Sequence, residues 1–145
     1  MRIDRLHSVT STRLMVIDAD ATLQSAALAL SSPGIGLVVV CQGGGEAVGV
    51  LSKSDLVRHL ANAGSADAPA AALMSRSIVA CCPGDDVHSV WQTMSARGLQ
   101  NLPVLGSDAI PLGILDIRDA LKALLEEEEF EEHQLVNYIA GVGYR

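Results

Sequence analysis

Aromatic residues and cysteines are scarce in this chain of 145 residues. One Trp, two Tyr and one Phe leave Ala, Val, Leu and Ile to build the core. Three cysteines, of which Cys81 and Cys82 are adjacent, form no disulfide framework and lack the spacing of a zinc site. No apolar run approaches the ~18 residues of a membrane span, and Met1–Val9 lacks the apolar segment of a secretory signal. These absences predict a cytoplasmic protein that does not cross a membrane.

Charge is also sparse, and it is unevenly placed. Charged residues make up 19% of the chain and hydrophobic residues 49%, which excludes a disordered protein. A net charge of −7 argues against binding to nucleic acid, which requires a basic face. Six of the 17 acidic residues lie in the last 20 positions, residues 126–145, so the body is nearly neutral. We interpret this glutamate run as a solvated helix face, with a role in partner choice as the alternative.

An internal repeat organises the chain. Residues 16–60 align without a gap on residues 80–124 at a constant offset of 64, and the alignment pairs Gly49 with Gly113 and Asp55 with Asp119. The apolar pattern of each copy predicts a strand, a helix, two strands and a second helix. A unit of about 55 residues buries little surface alone, so we expect the two copies to share one core.

Helix-capping residues and an Ala-rich linker define the boundaries of these units. Asp20 and Asp85 precede the first helix of each copy and are predicted to cap it, and Gly34 and Gly98 are predicted to end it. An Ala-rich linker over 61–74 separates the copies, which gives repeats over 8–64 and 65–125. The last helix is predicted to run on into an acidic tail, 126–145, with an apolar stripe that could form a contact surface: Phe130, Leu135, Tyr138 and Ile139.

The most informative motif occurs once in each copy, as GVLSKSD (49–55) and GILDIRD (113–119). A strand that passes directly into a helix exposes free N–H groups and the positive end of the helix dipole, which suits a phosphate. A carboxylate at that position can accept hydrogen bonds from both hydroxyls of a ribose. The alternative is that the Ser52–Asp55 and Asp116–Asp119 pairs form capping boxes. Both interpretations can hold together, because a carboxylate has lone pairs to spare.

The repeated unit resembles a tandem pair of CBS domains, the family named for cystathionine β-synthase. The resemblance rests on the motif G-h-h-S-x-x-D (h is apolar) and on Leu102-Pro103-Val104, and it covers about residues 8–125. It implies an α/β (α+β) fold of two βαββα repeats related by a pseudo-two-fold axis, here with an extended C-terminal helix. It also implies two clefts that take adenine-containing ligands such as AMP, ADP, ATP, NAD or S-adenosylmethionine.

The resemblance further implies that each cleft combines the motif Asp of one repeat with the opening strand of the other. The first cleft would then contain Ser52, Lys53, Asp55, Ser77, Ile78, Gln100 and Asn101. The second would contain Arg13, Leu14, Gly36, Leu37, Asp116 and Asp119.

Departures from the family pattern distinguish the two clefts. Asp116 replaces the usual Ser or Thr and places a second carboxylate where a phosphate would approach, at a Coulomb cost. Gln100 and Asn101 are neutral where many nucleotide-binding members have His or Arg. We therefore expect the Asp55 cleft to be the better nucleotide site. The Asp119 cleft is expected to be empty or to prefer a ligand with fewer phosphates.

These features predict a regulatory ligand-binding module rather than an enzyme. No nucleophile and base occur at a recognisable spacing, and we expect neither a metal nor an obligatory cofactor. The expected partners are an adenosine-containing small molecule as regulatory ligand, a second copy in a homodimer, and a client protein that receives the signal. The alternative is a structural or protein-interaction CBS pair whose clefts are vestigial.

Overall fold

The computed structural model describes the backbone of residues 1–144 and the side chains of residues 1–129, 131 and 132. A short helical segment begins the chain, with 3-10 turns at Ile3–Leu6 and Ser11–Arg13 around helix α1 (His7–Thr10). The first repeat follows as β1 (Val16–Asp18), α2 (Leu23–Leu30), β2 (Leu37–Gln42), β3 (Glu46–Ser52) and α3 (Lys53–Ala61). The linker holds α4 (Ala70–Leu73). The second repeat contains α5 (Val87–Arg97), β4 (Asn101–Leu105), a 3-10 turn (Ser107–Ala109), β5 (Pro111–Asp116) and α6 (Ile117–Tyr144).

The two sheets confirm the predicted α+β class. In the first sheet β2 lies in the middle, parallel to β1 and antiparallel to β3. The second sheet pairs β4 with β5 in antiparallel fashion, and the opening strand of this repeat is reduced to a single bridge between Cys81 and Val104. All side chains over 37–41 are buried, as expected for a sheet that is covered on both faces.

Each repeat is covered by the segment that precedes the other one. The backbone N–H of Val87 in the second repeat donates to the carbonyl of Met1, and Ile3 is buried in the second repeat's core. In the linker, Ala70 N–H donates to the carbonyl of Ala21, and Ala70 is buried in the first repeat's core. This exchange of segments explains how two small units form one stable body.

A glycine in the last strand of each repeat, β3 and β5, permits this exchange. A Cβ on Gly49 would lie 2.9 Å from the backbone oxygen of Ser75, and a Cβ on Gly113 would lie 2.8 Å from the carbonyl carbon of Thr10. Both distances are too short for any side chain. Gly49 and Gly113 are equivalent in the repeat, so the same close approach occurs on both sides of the molecule.

The two sheets meet in a small apolar layer. Leu37, Val39 and Cys41 of β2 pack there with Ile114 of β5, and Leu14 is partly buried against them. These side chains point away from the cores of the individual repeats. The layer therefore fixes the position of one repeat against the other and so sets the shape of the space between them.

The helix caps correct three of the sequence predictions. The N-caps are Thr22 and Asp86, rather than Asp20 and Asp85, and their side chains accept hydrogen bonds from the backbone N–H groups of Ser25 and Ser89. Thr22 and Asp86 are themselves equivalent at the offset of 64. Gly98 ends α5 in the left-handed conformation, with φ +67°, as predicted. The prediction that Gly34 ends α2 is wrong, because this helix ends at Leu30 with Ser31 as its C-cap.

The backbone of α6 is helical as far as Tyr144. The predicted stripe of Phe130, Leu135, Tyr138 and Ile139 lies outside the residues whose side chains are described. In the described part of the chain, no helix has the length and apolar character that a membrane crossing requires.

Candidate functional site

A cavity of about 610 Å³ lies where the two repeats meet. Its walls come from equivalent parts of both repeats, the loops over 34–37 and 98–101 and the starts of helices α3 and α6. Ser52, Lys53 and Ser54 line it at the beginning of α3, and Asp116 and Arg118 at the beginning of α6. Because two helix N-termini face one space, their free N–H groups and dipoles favour an anionic group there.

This central cavity brings together residues that were predicted in separate clefts. Four residues of the predicted first cleft line it: Ser52, Lys53, Gln100 and Asn101. Three of the predicted second cleft line it as well: Gly36, Leu37 and Asp116. The two sets touch, because a Cβ on Gly36 would lie 2.6 Å from the side-chain nitrogen of Asn101.

Six predicted residues lie outside the cavity lining: Arg13, Leu14, Asp55, Ser77, Ile78 and Asp119. Six lining residues were not predicted: Gly34, Ile35, Ser54, Gly98, Leu99 and Arg118. The internal repeat could have identified these residues from the sequence. All six are equivalent, at the offset of 64, to another lining residue: Gly34 to Gly98, Ile35 to Leu99 and Ser54 to Arg118.

Asp55 forms the capping box that its spacing predicts. The backbone N–H of Ser52 donates to Oδ2 of Asp55 at 2.9 Å, and the N–H of Asp55 donates to Oγ of Ser52 at 3.3 Å. A guanidinium nitrogen of Arg58, on the next turn of α3, lies 3.5 Å from Oδ1. The Asp55 carboxylate is thus held at the start of a helix and keeps lone pairs for a further donor.

Asp119, the equivalent carboxylate, has a different partner. Nε and Nη2 of Arg13 donate to its two oxygens, with an Nη2–Oδ1 distance of 3.1 Å. Nη1 of Arg13 donates to the carbonyl of Gly34 at 2.8 Å. The hydrogen bonds to Asp119 raise the pKa of Arg13 above its usual value. Among the described residues, Asp119 is thus paired across the two repeats instead of capping its own helix.

Asp116 is neutralised by Arg118 at the start of α6. The Asp116 residue is only 3% exposed, yet it accepts hydrogen bonds from the backbone N–H of Arg118 at 2.8 Å and from Nη2 at 2.9 Å. Burial raises the pKa of Asp116, but the bonds from Arg118 outweigh it and hold the pKa below its ordinary value. The Coulomb cost expected from Asp116 is therefore offset, and the lining keeps Lys53 as a further cation.

The remaining predicted residues belong to the opening segments. Ser77 is exposed and Ile78 is partly buried, and both precede the Cys81 bridge of the second repeat. Leu14 follows Arg13 and packs against the layer between the sheets. In the part of the chain that the structure describes, no three His, Cys, Asp or Glu side chains are grouped so that they could hold a metal ion.

Comparison with known proteins gives a consistent result. The family model of the CBS domain matches twice, over residues 6–62 and 70–126. A curated relative, an uncharacterized 17.7 kDa protein of Acidianus ambivalens, is 23% identical over 96% of this chain and 84% of its own length.

Solved structures share the fold. A CBS domain protein of Pyrobaculum aerophilum in complex with AMP is 24% identical, with a TM-score of 0.72, over 82% of this chain and 89% of its own. A CBS domain pair in complex with 5′-methylthioadenosine and S-adenosyl-L-methionine is 17% identical, with a TM-score of 0.72, over 88% of this chain and 98% of its own. The soluble part of a magnesium transporter is 25% identical, with a TM-score of 0.66, over 81% of this chain; the match spans about half (48%) of that protein.

Proposed function

The chain belongs to the CBS domain family, and from that premise we propose that it is a regulatory module that binds an adenosine-containing ligand between its two repeats. The observation that carries the proposal is the Asp55 carboxylate, held at the start of α3 next to the cavity-lining residues Ser52 and Lys53. Its free lone pairs suit the two hydroxyls of a ribose. The helix N-terminus and Lys53 suit the phosphate or other anionic part of the same ligand.

The ligand's role would be to select one arrangement of the repeats. A molecule that is held at Asp55 and extends past Ser52 and Lys53 into the central cavity would touch loops and helix starts from both repeats, so it would favour the arrangement in which both sets of contacts are made. We propose no catalytic residue and no obligatory cofactor. The signal would pass in the cytoplasm through a homodimer or a client protein, and the exposed helical surface around Leu121 and Leu125 is available for such a contact.

Two structures of the same fold support an adenosine ligand, since one contains AMP and another 5′-methylthioadenosine and S-adenosyl-L-methionine. AMP, ADP, ATP, NAD and S-adenosylmethionine are therefore the ligands to test. A second candidate is an interaction module whose clefts bind nothing, and the pairing of Asp119 with Arg13 favours it for the second cleft, whose carboxylate is already occupied.

The test is the ligand-dependent thermal stability of the wild type and of Asp55→Asn. Ligand at a hundred times Kd should stabilise the wild type by about 2.7 kcal/mol. Asn at position 55 can still accept the hydrogen bond from the backbone N–H of Ser52, but loss of a charged acceptor should weaken binding about ten- to hundredfold. Asp67→Asn, in the exposed linker, serves as the control and should respond as the wild type does. If no ligand of the panel stabilises the wild type at millimolar concentration, the interaction module is the correct interpretation.

A further inference from the structure

The repeat supplies two equivalent carboxylates, Asp55 and Asp119, but their surroundings differ. Asp55 is bound by its own helix, through the backbone of Ser52 and a guanidinium one turn away. Asp119, in the second repeat, is bound by a side chain of the first, because Arg13 lies in the segment that leads into β1. A ligand can reach a carboxylate only if its acceptor positions are free or can be freed at low cost.

We infer that Arg13 closes the second of the two equivalent sites, so that the chain binds one adenosine-containing ligand, at Asp55. The inference rests on the proposed function. Arg13 takes the place that a ribose would take at Asp119: it gives one N–H donor to each carboxylate oxygen, as two vicinal hydroxyls would.

The pair is difficult for a neutral ligand to displace. In a bidentate guanidinium–carboxylate pair both partners are charged, whereas a ribose hydroxyl can replace a hydrogen bond to the carboxylate but brings no positive charge to it. The side chains of Arg13 and Asp119 are only 21% and 19% exposed, so water screens them weakly. A third N–H of Arg13 is bound to the carbonyl of Gly34, and this bond would also be lost on displacement.

The first site has no such closure. Arg13 is equivalent to Ser77, whose side chain is exposed and too short to bridge to a carboxylate on the other repeat. The cation near Asp55 is Arg58, whose side chain is 68% exposed. Arg58 can turn into solvent without a rearrangement of either repeat. One residue in the opening segment, Arg or Ser, therefore distinguishes the closed site from the open one.

The test is the number of ligand sites per chain, measured by equilibrium dialysis with AMP, ADP, ATP, NAD and S-adenosylmethionine. The wild type should bind one equivalent of the ligand that it recognises. Arg13→Ser, which copies the first site into the second, should bind two, and Arg13→Ser with Asp119→Asn should return to one. Arg13→Gln keeps most of the side-chain volume and removes the charge, so it gives the same test if the serine variant is unstable. The control, Arg5→Ser, changes an exposed arginine of the same segment and should bind one equivalent.

The outcomes separate this inference from the proposed function. Two equivalents in the wild type would overturn the closure by Arg13 and leave ligand binding intact. One equivalent in both Arg13 variants would also overturn it, because removal of the guanidinium would have opened nothing. If no variant binds any of the five ligands, the proposed function and this inference both fail.

Discussion

The two repeats have the same elements at an offset of 64 residues, yet the chemistry at their helix starts is opposite. In the first repeat, neutral Ser52 caps α3, and Asp55 completes a capping box within its own helix. In the second repeat, Asp116 is paired with Arg118, and Asp119 is paired with Arg13 across the molecule. One backbone thus supports an open carboxylate on one side and a closed one on the other. The difference resides in a few side chains, while the packing beneath them is shared.

The largest expected effect on stability comes from substitutions in the core packing that the two repeats share. Leu51 and Leu115 are equivalent and both are fully buried, each in the core of its own repeat. Leu51→Ala and Leu115→Ala should each lower the free energy of unfolding by about 2–5 kcal/mol, because a cavity replaces the removed atoms. Urea denaturation should show one transition for both variants, since each repeat is covered by the other's leading segment.

Leu28→Ala is the control for this comparison, because Leu28 is exposed on α2 and its loss should change little. A variant that unfolds in two steps would show that the repeats are independently stable. That result would contradict the single body inferred from the exchanged segments.

A smaller effect is expected from the paired glycines. Gly49→Ala and Gly113→Ala each place a methyl group against the backbone of a leading segment, at 2.9 Å from Ser75 and 2.8 Å from Thr10. Overpacking of this kind costs about 1–3 kcal/mol, and urea denaturation should show similar losses for the two variants. Gly44→Ala is the control, since nothing lies within 4 Å of its Cβ position. If Gly49→Ala or Gly113→Ala is as stable as Gly44→Ala, the close approach does not limit the fold.

The fold was predictable because its evidence is local and occurs twice. The spacing of apolar residues, the turn glycines and the gapless repeat define the helices and strands, and the motif GVLSKSD (49–55) places Ser52 and Asp55 correctly at the start of α3. The predicted N-caps were wrong by one or two residues. Several polar residues precede each helix, and only the backbone geometry selects Thr22 and Asp86 among them.

The pairing of Arg13 with Asp119 was not predictable from the sequence. The two residues are 106 positions apart, and periodicity gives no information on which distant side chain reaches a given carboxylate. The sequence did place Arg13 and Asp119 in one cleft, through the family resemblance, but as two contacts for a ligand. Their contact with each other follows only from the three-dimensional position of the opening segment. In the same way, Arg118 offsets the charge of Asp116 through a local bond that the residue types alone did not indicate.

The smallest expected effect concerns Asp116, the residue that stands at the start of α6 where the first repeat has Ser52. Its folded-state pKa lies below the ordinary value of 3.8, so ionised Asp116 stabilises the fold above that pH. This stabilisation is lost as the pH falls through the folded-state pKa. Asp116→Ser copies Ser52 into the second repeat and removes the titrating group. The unfolding free energy of the variant should therefore fall less steeply than that of the wild type below about pH 4.

Urea denaturation at a series of pH values measures this slope, with Asp67→Ser in the exposed linker as the control. The effect should be modest, because the side chain of Arg118 is 79% exposed and water screens its pairing with Asp116. Parallel curves for the wild type and Asp116→Ser would show that Arg118 does not stabilise the ionised carboxylate. Asp116 would then carry an uncompensated charge into the cavity, and a phosphate-bearing ligand should bind more tightly to the serine variant.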